Sequence, residues 1–351
     1  MKVLMANFFI CFIISLFFIS SFASAQSAIK SSSLNSNTSA LSRARALQAP
    51  QPKLSYQGEY ENNEWWLEHF DLFQEARKEW GRKHQELYRW DDNMKQFLDP
   101  DLYRAFSNRD EHLLASLIDS TGAPFVFTFR LFTKNFTEQL LDEIKHHKDS
   151  GVPLRRPNGM NRYGAILSEL GFDNMINGLV SELLVPIARH IFPAFVGPSE
   201  LSENYPFVVC YHPDRDASLS EHTDASTVTV NVCLQASDDR NVLYFKENRF
   251  WKRSVHHTEQ RHARHIGLSE PGRAVIHLGQ HVHGVSQIDS PRSNLVVWMF
   301  GEHGYVRIAP YGPKEVERHK REYSRFWKQA KVPVLIVTPK RLLLQPLQGC
   351  Y

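Results

Sequence analysis

The sequence predicts an α+β protein whose core is a double-stranded β-helix, a jelly roll of two facing sheets, braced by helices and preceded by a helical extension. Three observations predict it. Short β-type runs recur at 207–211, 227–234, 242–246, 272–278 and 293–300, each bounded by turn residues, as in a double-sheet all-β core. Two upstream stretches, 137–148 and 176–192, read as an amphipathic helix and a long, largely apolar helix. Within 56–121, Trp66, Phe70, Phe73 and Trp80 fall on one face at helical spacing.

The elements follow in order. Residues 1–25 read as a signal peptide: Lys2 gives the positive start, Phe8 to Ser20 the apolar core and Ala23-Ser24-Ala25 a small-residue cleavage site. That core is short for a bilayer span, and no other run is long enough for one, so no stable membrane span is expected after cleavage. Residues 26–55 are rich in Ser, Ala, Asn and Gln and are predicted to be a disordered linker. The helical extension covers 56–121, with a break at Asp99-Pro100 and a further helix over 102–118. Its aromatic stripe predicts a layer packed on a core rather than a peptide-binding face. The jelly-roll domain is placed at 122–312, opening with a strand within 124–132. Its loop over 152–160 carries Arg155-Arg156, expected to be solvated. A histidine-rich loop, His256 to His265, lacks zinc-type spacing and reads as an exposed segment. Residues 313–351 are predicted to hold a basic helix opened by Pro313, a short strand at 334–337 and a tail.

Composition narrows the classes. In 351 residues, 41 basic groups stand against 38 acidic ones, a formal charge of +3, which argues against a nucleic-acid partner held by charge. Of four cysteines, Cys11 lies in the signal sequence. Cys210, Cys233 and Cys350 remain, an odd number that does not make a disulfide scaffold. Acceptor sequons at Asn37 and Asn135 fit a glycoprotein of the secretory pathway, in the endoplasmic reticulum lumen or secreted.

The chemistry concentrates in FVVCYHPDRDASLSEHTDASTVTVNVCL (207–234) and GRAVIHLGQHVHGVSQIDSPRSNLVVWMF (272–300). His222 and Asp224 are two apart, so in extended chain both side chains reach one point. With 17 histidines, about two His-X-acid triplets arise by chance, so the triplet alone says little. A histidine on a later strand, His283 or its rival His281, would complete a 2-His-1-carboxylate triad for a divalent metal. Arg292 follows His283 beyond Ser290-Pro291 and suits bidentate pairing with a carboxylate.

FVVCYHPD, SLSEHTDAST and TVNVCL resemble the catalytic domain of procollagen lysyl hydroxylases. GMNRYGAIL with SELGFDNMI, and the ending HGV…SPRSNLVVWM, are similar to 2-oxoglutarate and iron-dependent oxygenase domain-containing protein 2. Both belong to the prolyl 4-hydroxylase-like 2-oxoglutarate dioxygenases, and the likeness spans about residues 125 to 305. It implies iron(II) on His222, Asp224 and His283, preferred over His281 because the family ligand directly precedes a small residue, here Gly284. It implies 2-oxoglutarate held by Arg292, with Tyr211 and Asn231 as further contacts, and L-ascorbate as the reductant that rescues oxidised iron. The chain departs from the pattern at Asp238-Asp239-Arg240-Asn241, where relatives carry paired glycines. The implied activity is hydroxylation of a substrate C–H with conversion of 2-oxoglutarate and O2 to succinate and CO2. A lysyl or prolyl side chain of a secretory-pathway polypeptide is the first expectation for substrate. The alternative is a catalytically inactive secreted binding protein on the same fold. A zinc hydrolase ranks last, because it leaves Arg292 and Asn231 without a task.

Overall fold

The computed structural model describes residues 38–50, 65–192, 196, 201–237, 242–246, 263–301, and the strand segments 333–338 and 341–346. The expected signal peptide, the basic helix after Pro313, the turn at Asp238–Asn241 and most of the histidine-rich loop lie outside the described residues.

Eleven described strands make two antiparallel sheets. In the larger sheet the order is β1 (Asp119–Ser120), β2 (Val126–Arg130), β9 (Arg273–Leu278), β6 (Val228–Gln235), β11 (Arg292–Phe300), β4 (Glu203–Tyr211) and β3 (Gly164–Ile166). In the smaller it is β5 (Leu219–His222), β10 (His283–Val285), β7 (Leu243–Lys246) and β8 (Ala263–Ile266). Strands β12 (Pro333–Thr338) and β13 (Arg341–Pro346) pair as a separate hairpin. The two sheets face each other across a shared core, as in a jelly roll. Phe207, Val275 and Trp298 of the large sheet bury with Leu243, Phe245 and Val285 of the small one.

Strand alternation explains the layering. Along β6, Val228, Val230 and Val232 turn outward to the helices, and Thr229, Asn231 and Cys233 turn into the barrel. The outer face is covered by the helix Lys134–Asp149 and by the helical region before β1: Phe136, Leu140, Met94 and Leu102 share one core with Val230 and Ile276. Phe132 stacks on Phe136 at 3.8 Å between centroids, and each such buried ring stabilises by about 1.5–3 kcal/mol. The helical extension is therefore one layer of the fold, continuous with the sheet.

Four local expectations need correction. Within the expected linker, Ala40–Ala46 is helical. Ser39 caps it, the Glu79 carboxylate accepts from the amides of Ala40 and Leu41, and Ala40 and Ala44 pack on Phe73 and Ala76. A helix buried through alanines leaves little hydrophobic signal. The aromatic stripe also breaks: Phe73 is buried and Phe70 is exposed, because the helix Phe70–Trp80 starts anew after His69. The helix expected over 102–118 is broken, whereas the one expected over 176–192 runs unbroken from 173 to 191. Pro100–Ser107 and Glu111–Leu117 are parted at Arg109, whose φ is 53°, with Asp110 capping the second. Asp173–Leu179 passes through a π turn, Val180–Leu184, into Val185–Ile191, where Pro186 lacks an amide to donate. Finally, Arg155 is no solvated loop residue. It pairs with the nearly buried Glu169, and Arg156 binds the carbonyls of Asn158 and Gly159.

One buried polar knot ties the helical layer together. Glu143, fully buried, accepts hydrogen bonds from the amides of Lys83 and His84 and from the Tyr88 hydroxyl, 2.8 Å away. His147 Nε2 lies 2.7 Å from the same hydroxyl. Glu143→Ala strands these donors and should cost about 3 kcal/mol in urea unfolding; a loss under about 0.5 kcal/mol would show that the knot is dispensable. Burial holds the His147 imidazole down to about 4, from 6.5 when unfolded. Between those values the unfolded chain binds more protons, so stability falls as pH falls through this window. His147→Gln should reduce that slope in unfolding midpoints taken across the same window.

Candidate metal centre

Strands β5 and β10 run side by side with His283 opposite His222. The register slips between His283 and Val285, a bulge that re-aims the short edge strand. Asp224 follows on the loop after β5. Its amide donates to Gly279 O at 2.7 Å, and the Gly279 amide donates to Thr227 O at 3.0 Å. A Cβ on Gly279 would sit 2.1 Å from Ser226 O, so only glycine allows the two segments to clasp. Gly284 is also tight, since its Cβ would lie 2.9 Å from Leu219 O on the neighbouring strand.

This folding brings His222, Asp224 and His283 together, with one ligating atom from each lying within 4.8 Å of the others. Asp224 Oδ1 is 3.5 Å from His222 Nε2 and 3.7 Å from His283 Nε2. The Nδ1 atoms face the carbonyls of Ser220 and His281, both at 2.8 Å. Each neutral ring therefore keeps its proton on Nδ1 and turns a lone pair from Nε2 toward the carboxylate. Burial would raise the Asp224 pKa, but the rings of His283, His222 and His277 outweigh it and hold the carboxyl well below its usual range. Burial pushes His283 down to about 3, so it is neutral at physiological pH. Burial opposes charge on His222 too, but pairing with Asp224 wins and raises it. Two imidazole nitrogens and a carboxylate oxygen fit a divalent metal of intermediate hardness. His281 does not join them: its Nε2 lies 2.8 Å from Lys246 O.

Three neighbours were missed by sequence reasoning. Thr229 donates from its hydroxyl to Asp224 Oδ2 at 2.6 Å, and Ser226 Oγ lies 2.7 Å from Thr229 Oγ1. Opposite Thr229 on β9 is His277, buried, its Nε2 3.7 Å from Asp224 Oδ2. The carboxylate is thus divided: Oδ1 serves the two candidate ligands, Oδ2 the barrel wall. The signal for Thr229 was present in its strand, two residues before Asn231 on the same face.

The other expected residues line that wall. Arg292, 2 % exposed, stands opposite Tyr211 and donates to Leu268 O at 2.7 Å. Burial pushes the Tyr211 phenol up; Asn161 and Arg292 pull it down, and Asp216 and Asp224 push it up. Tyr211 therefore feels both Arg292 and the Asp224 carboxylate. Asn231 accepts from the Asn294 amide at 2.6 Å, a partner that sequence reasoning did not single out. Cys210 and Cys233 are free thiols on β4 and β6.

Residues 76–197 match the OGFOD2-like domain family. The match runs through residue 121, where a boundary was expected, in keeping with the shared core of helices and sheet. The chain is 34% identical over 267 residues to 2-oxoglutarate and iron-dependent oxygenase domain-containing protein ICU11 of Arabidopsis thaliana, covering 74% of this chain and 63% of the relative. It is 34% identical over 234 residues to 2-oxoglutarate and iron-dependent oxygenase domain-containing protein 2 of Danio rerio, covering 65% of each. Human procollagen-lysine,2-oxoglutarate 5-dioxygenase 1 is 26% identical over 152 residues, 38% of this chain and 21% of that protein. The chain thus spans just under two thirds of the length of the first two relatives. A solved Pseudomonas putida prolyl-4-hydroxylase overlays with a TM-score of 0.35 at 15% identity, over 54% of this chain and 94% of that one.

The divided carboxylate makes a prediction. Thr229→Val keeps shape and removes the hydroxyl from Asp224, so affinity for Mn(II) or Co(II) in calorimetric titration should fall about 10–100-fold, with Thr229→Ser restoring most of it. Equal affinities in all three proteins would remove Thr229 from the centre.

Proposed function

We propose that the chain is an iron(II)- and 2-oxoglutarate-dependent dioxygenase that hydroxylates a substrate C–H bond. The observation that carries it is the three-residue cluster of two lone-pair imidazoles and one carboxylate oxygen, opening on the barrel whose wall holds Arg292. The names of the relatives support the same class.

His222, Asp224 and His283 are the residues to hold iron(II), and Arg292 the one to pair with the far carboxylate of 2-oxoglutarate. When bound, the metal and co-substrate supply oxidative decarboxylation of the keto acid by O2 and an oxidant for a C–H bond. The protein's part is placement. Thr229 fixes the Asp224 carboxylate, Ser220 and His281 carbonyls fix the two rings, and Tyr211 and Asn231 offer polar groups along the wall. Phe245, stacked on His283 at 5.4 Å, and Trp298 keep the interior apolar and exclude water. L-Ascorbate would serve to re-reduce iron after turnover without substrate. The proposed substrate is a lysyl or prolyl side chain of a polypeptide in the secretory pathway, supported by the signal-like first 25 residues and by the lysyl hydroxylase similarity.

Release of CO2 from 1-labelled 2-oxoglutarate, with succinate formed in step, tests the class. Wild type should release both with iron(II), and Asp224→Ala should release neither. Arg292→Ala should raise the apparent KM for 2-oxoglutarate roughly thirty-fold or more, since one partner of a buried charged pair is lost. An unchanged KM would assign the anchoring to another cation.

A further inference from the structure

The rim beside the metal cluster carries a second constructed feature. A surface hollow of about 310 Å³ is lined by Met160, Arg162 and Arg215 and by the chain from Asp216 to Ser220. Ser220 closes it at the metal end, and its carbonyl orients the His222 ring. The hollow therefore abuts β5, the edge strand that carries the first candidate ligand.

The loop that forms one wall is held rigidly. Asn158 Oδ1 accepts from the amides of Met160 and Asn161, both at 2.8 Å, and Asn158 Nδ2 donates to Asn161 Oδ1 at 3.0 Å. Both asparagines are buried, and Asn161 reaches the Tyr211 hydroxyl at 3.4 Å. On this braced loop Met160 and Tyr163 are exposed, two of five large hydrophobics in that state among the described residues. Asn-to-backbone bonds of this kind hold the loop in one conformation beside the hollow.

Charge decides the ligand. Asp216, buried, is committed to Arg162: it accepts from the Arg162 amide at 2.7 Å and from its Nε at 3.0 Å. Glu221 pairs with Lys246, while His212 Nδ1 accepts from the Asp214 amide at 3.2 Å. The Arg215 guanidinium lies 5.1 Å over the Tyr163 ring and has no carboxylate partner among the described residues. One cation of the hollow is thus uncompensated, presented on an aromatic face with its planar donors available.

We infer that this hollow is a substrate subsite for a polypeptide bearing an acidic side chain beside the reacting residue. The carboxylate pairs with Arg215, and Met160 and Tyr163 cover neighbouring apolar atoms. This rests on the oxygenase reading for its link to turnover, and on the hollow's own residues for the binding.

Two fluorescent pools of short randomised peptides test it, alike except that one draws on Asp and Glu where the other draws on Asn and Gln. Binding to the full chain is followed by anisotropy, after a Mn(II) titration has shown each protein folded. Wild type should favour the acidic pool by about two- to five-fold, the preference should shrink with added salt, and Arg215→Glu should abolish it. Arg215→Lys should keep part of it. No preference in wild type, or one untouched by Arg215→Glu, overturns the subsite. Acidic preference without any 2-oxoglutarate turnover would leave the subsite standing and sink the oxygenase reading; turnover without acidic preference would do the reverse.

Discussion

A carboxylate taken out of water costs several kcal/mol unless it is paired, and Asp224 is buried at the mouth of the barrel. Its compensation organises the site. Oδ2 is bonded by a threonine of the large sheet, and Oδ1 faces the Nε2 atoms of two imidazoles from adjacent strands of the small one, an arrangement that a cation between them would complete. The same carboxylate therefore joins the two sheets at the point where a metal would sit. Gly279 makes the join possible, because the backbones of 223–227 and 278–279 touch where any Cβ would collide.

Rigidity reaches this point from behind. The large sheet buries its outer face against helices, with Val230 and Ile276 in one core with Phe136 and Leu140, so β6 and β9 cannot shift independently. Thr229 and His277, directly opposite each other on those strands, inherit that fixity. Arg292 and Tyr211 share a second such pairing between β11 and β4. Candidate ligands sit on a short edge strand, its loop and a three-residue strand. The group that orients Asp224, Thr229, sits on a long central strand, and the two rings are oriented by carbonyls of their own segments. That division lets a centre keep open access on one side and defined geometry on the other.

Much of this was legible in the sequence, for identifiable reasons. The five long β runs announce themselves by apolar alternation, and all appear as strands. The His-X-Asp spacing, with a later His, names three residues that the fold does bring together. Strands β5, β8 and β10 were not legible: three or four residues with charged or histidine side chains carry no period. The helix Ala40–Ala46 hid in small residues, and the break at Arg109 and the π segment at Val180–Leu184 hid inside continuous apolar patterns. His277 reads as one polar residue in an apolar strand, AVIHL, and only the register across to Thr229 gives it a place. Arg155 looked solvated because its partner, Glu169, lies fourteen residues on.

The central claim is that His222, Asp224 and His283 form one iron site that also admits a chelating keto acid. Its most direct measurement is the visible absorption of the anaerobic chain with iron(II) and 2-oxoglutarate. The account predicts a metal-to-ligand charge-transfer band in wild type that vanishes in Asp224→Ala. A folded, iron-loaded wild type without the band, or an Asp224→Ala protein that keeps it, would contradict the account.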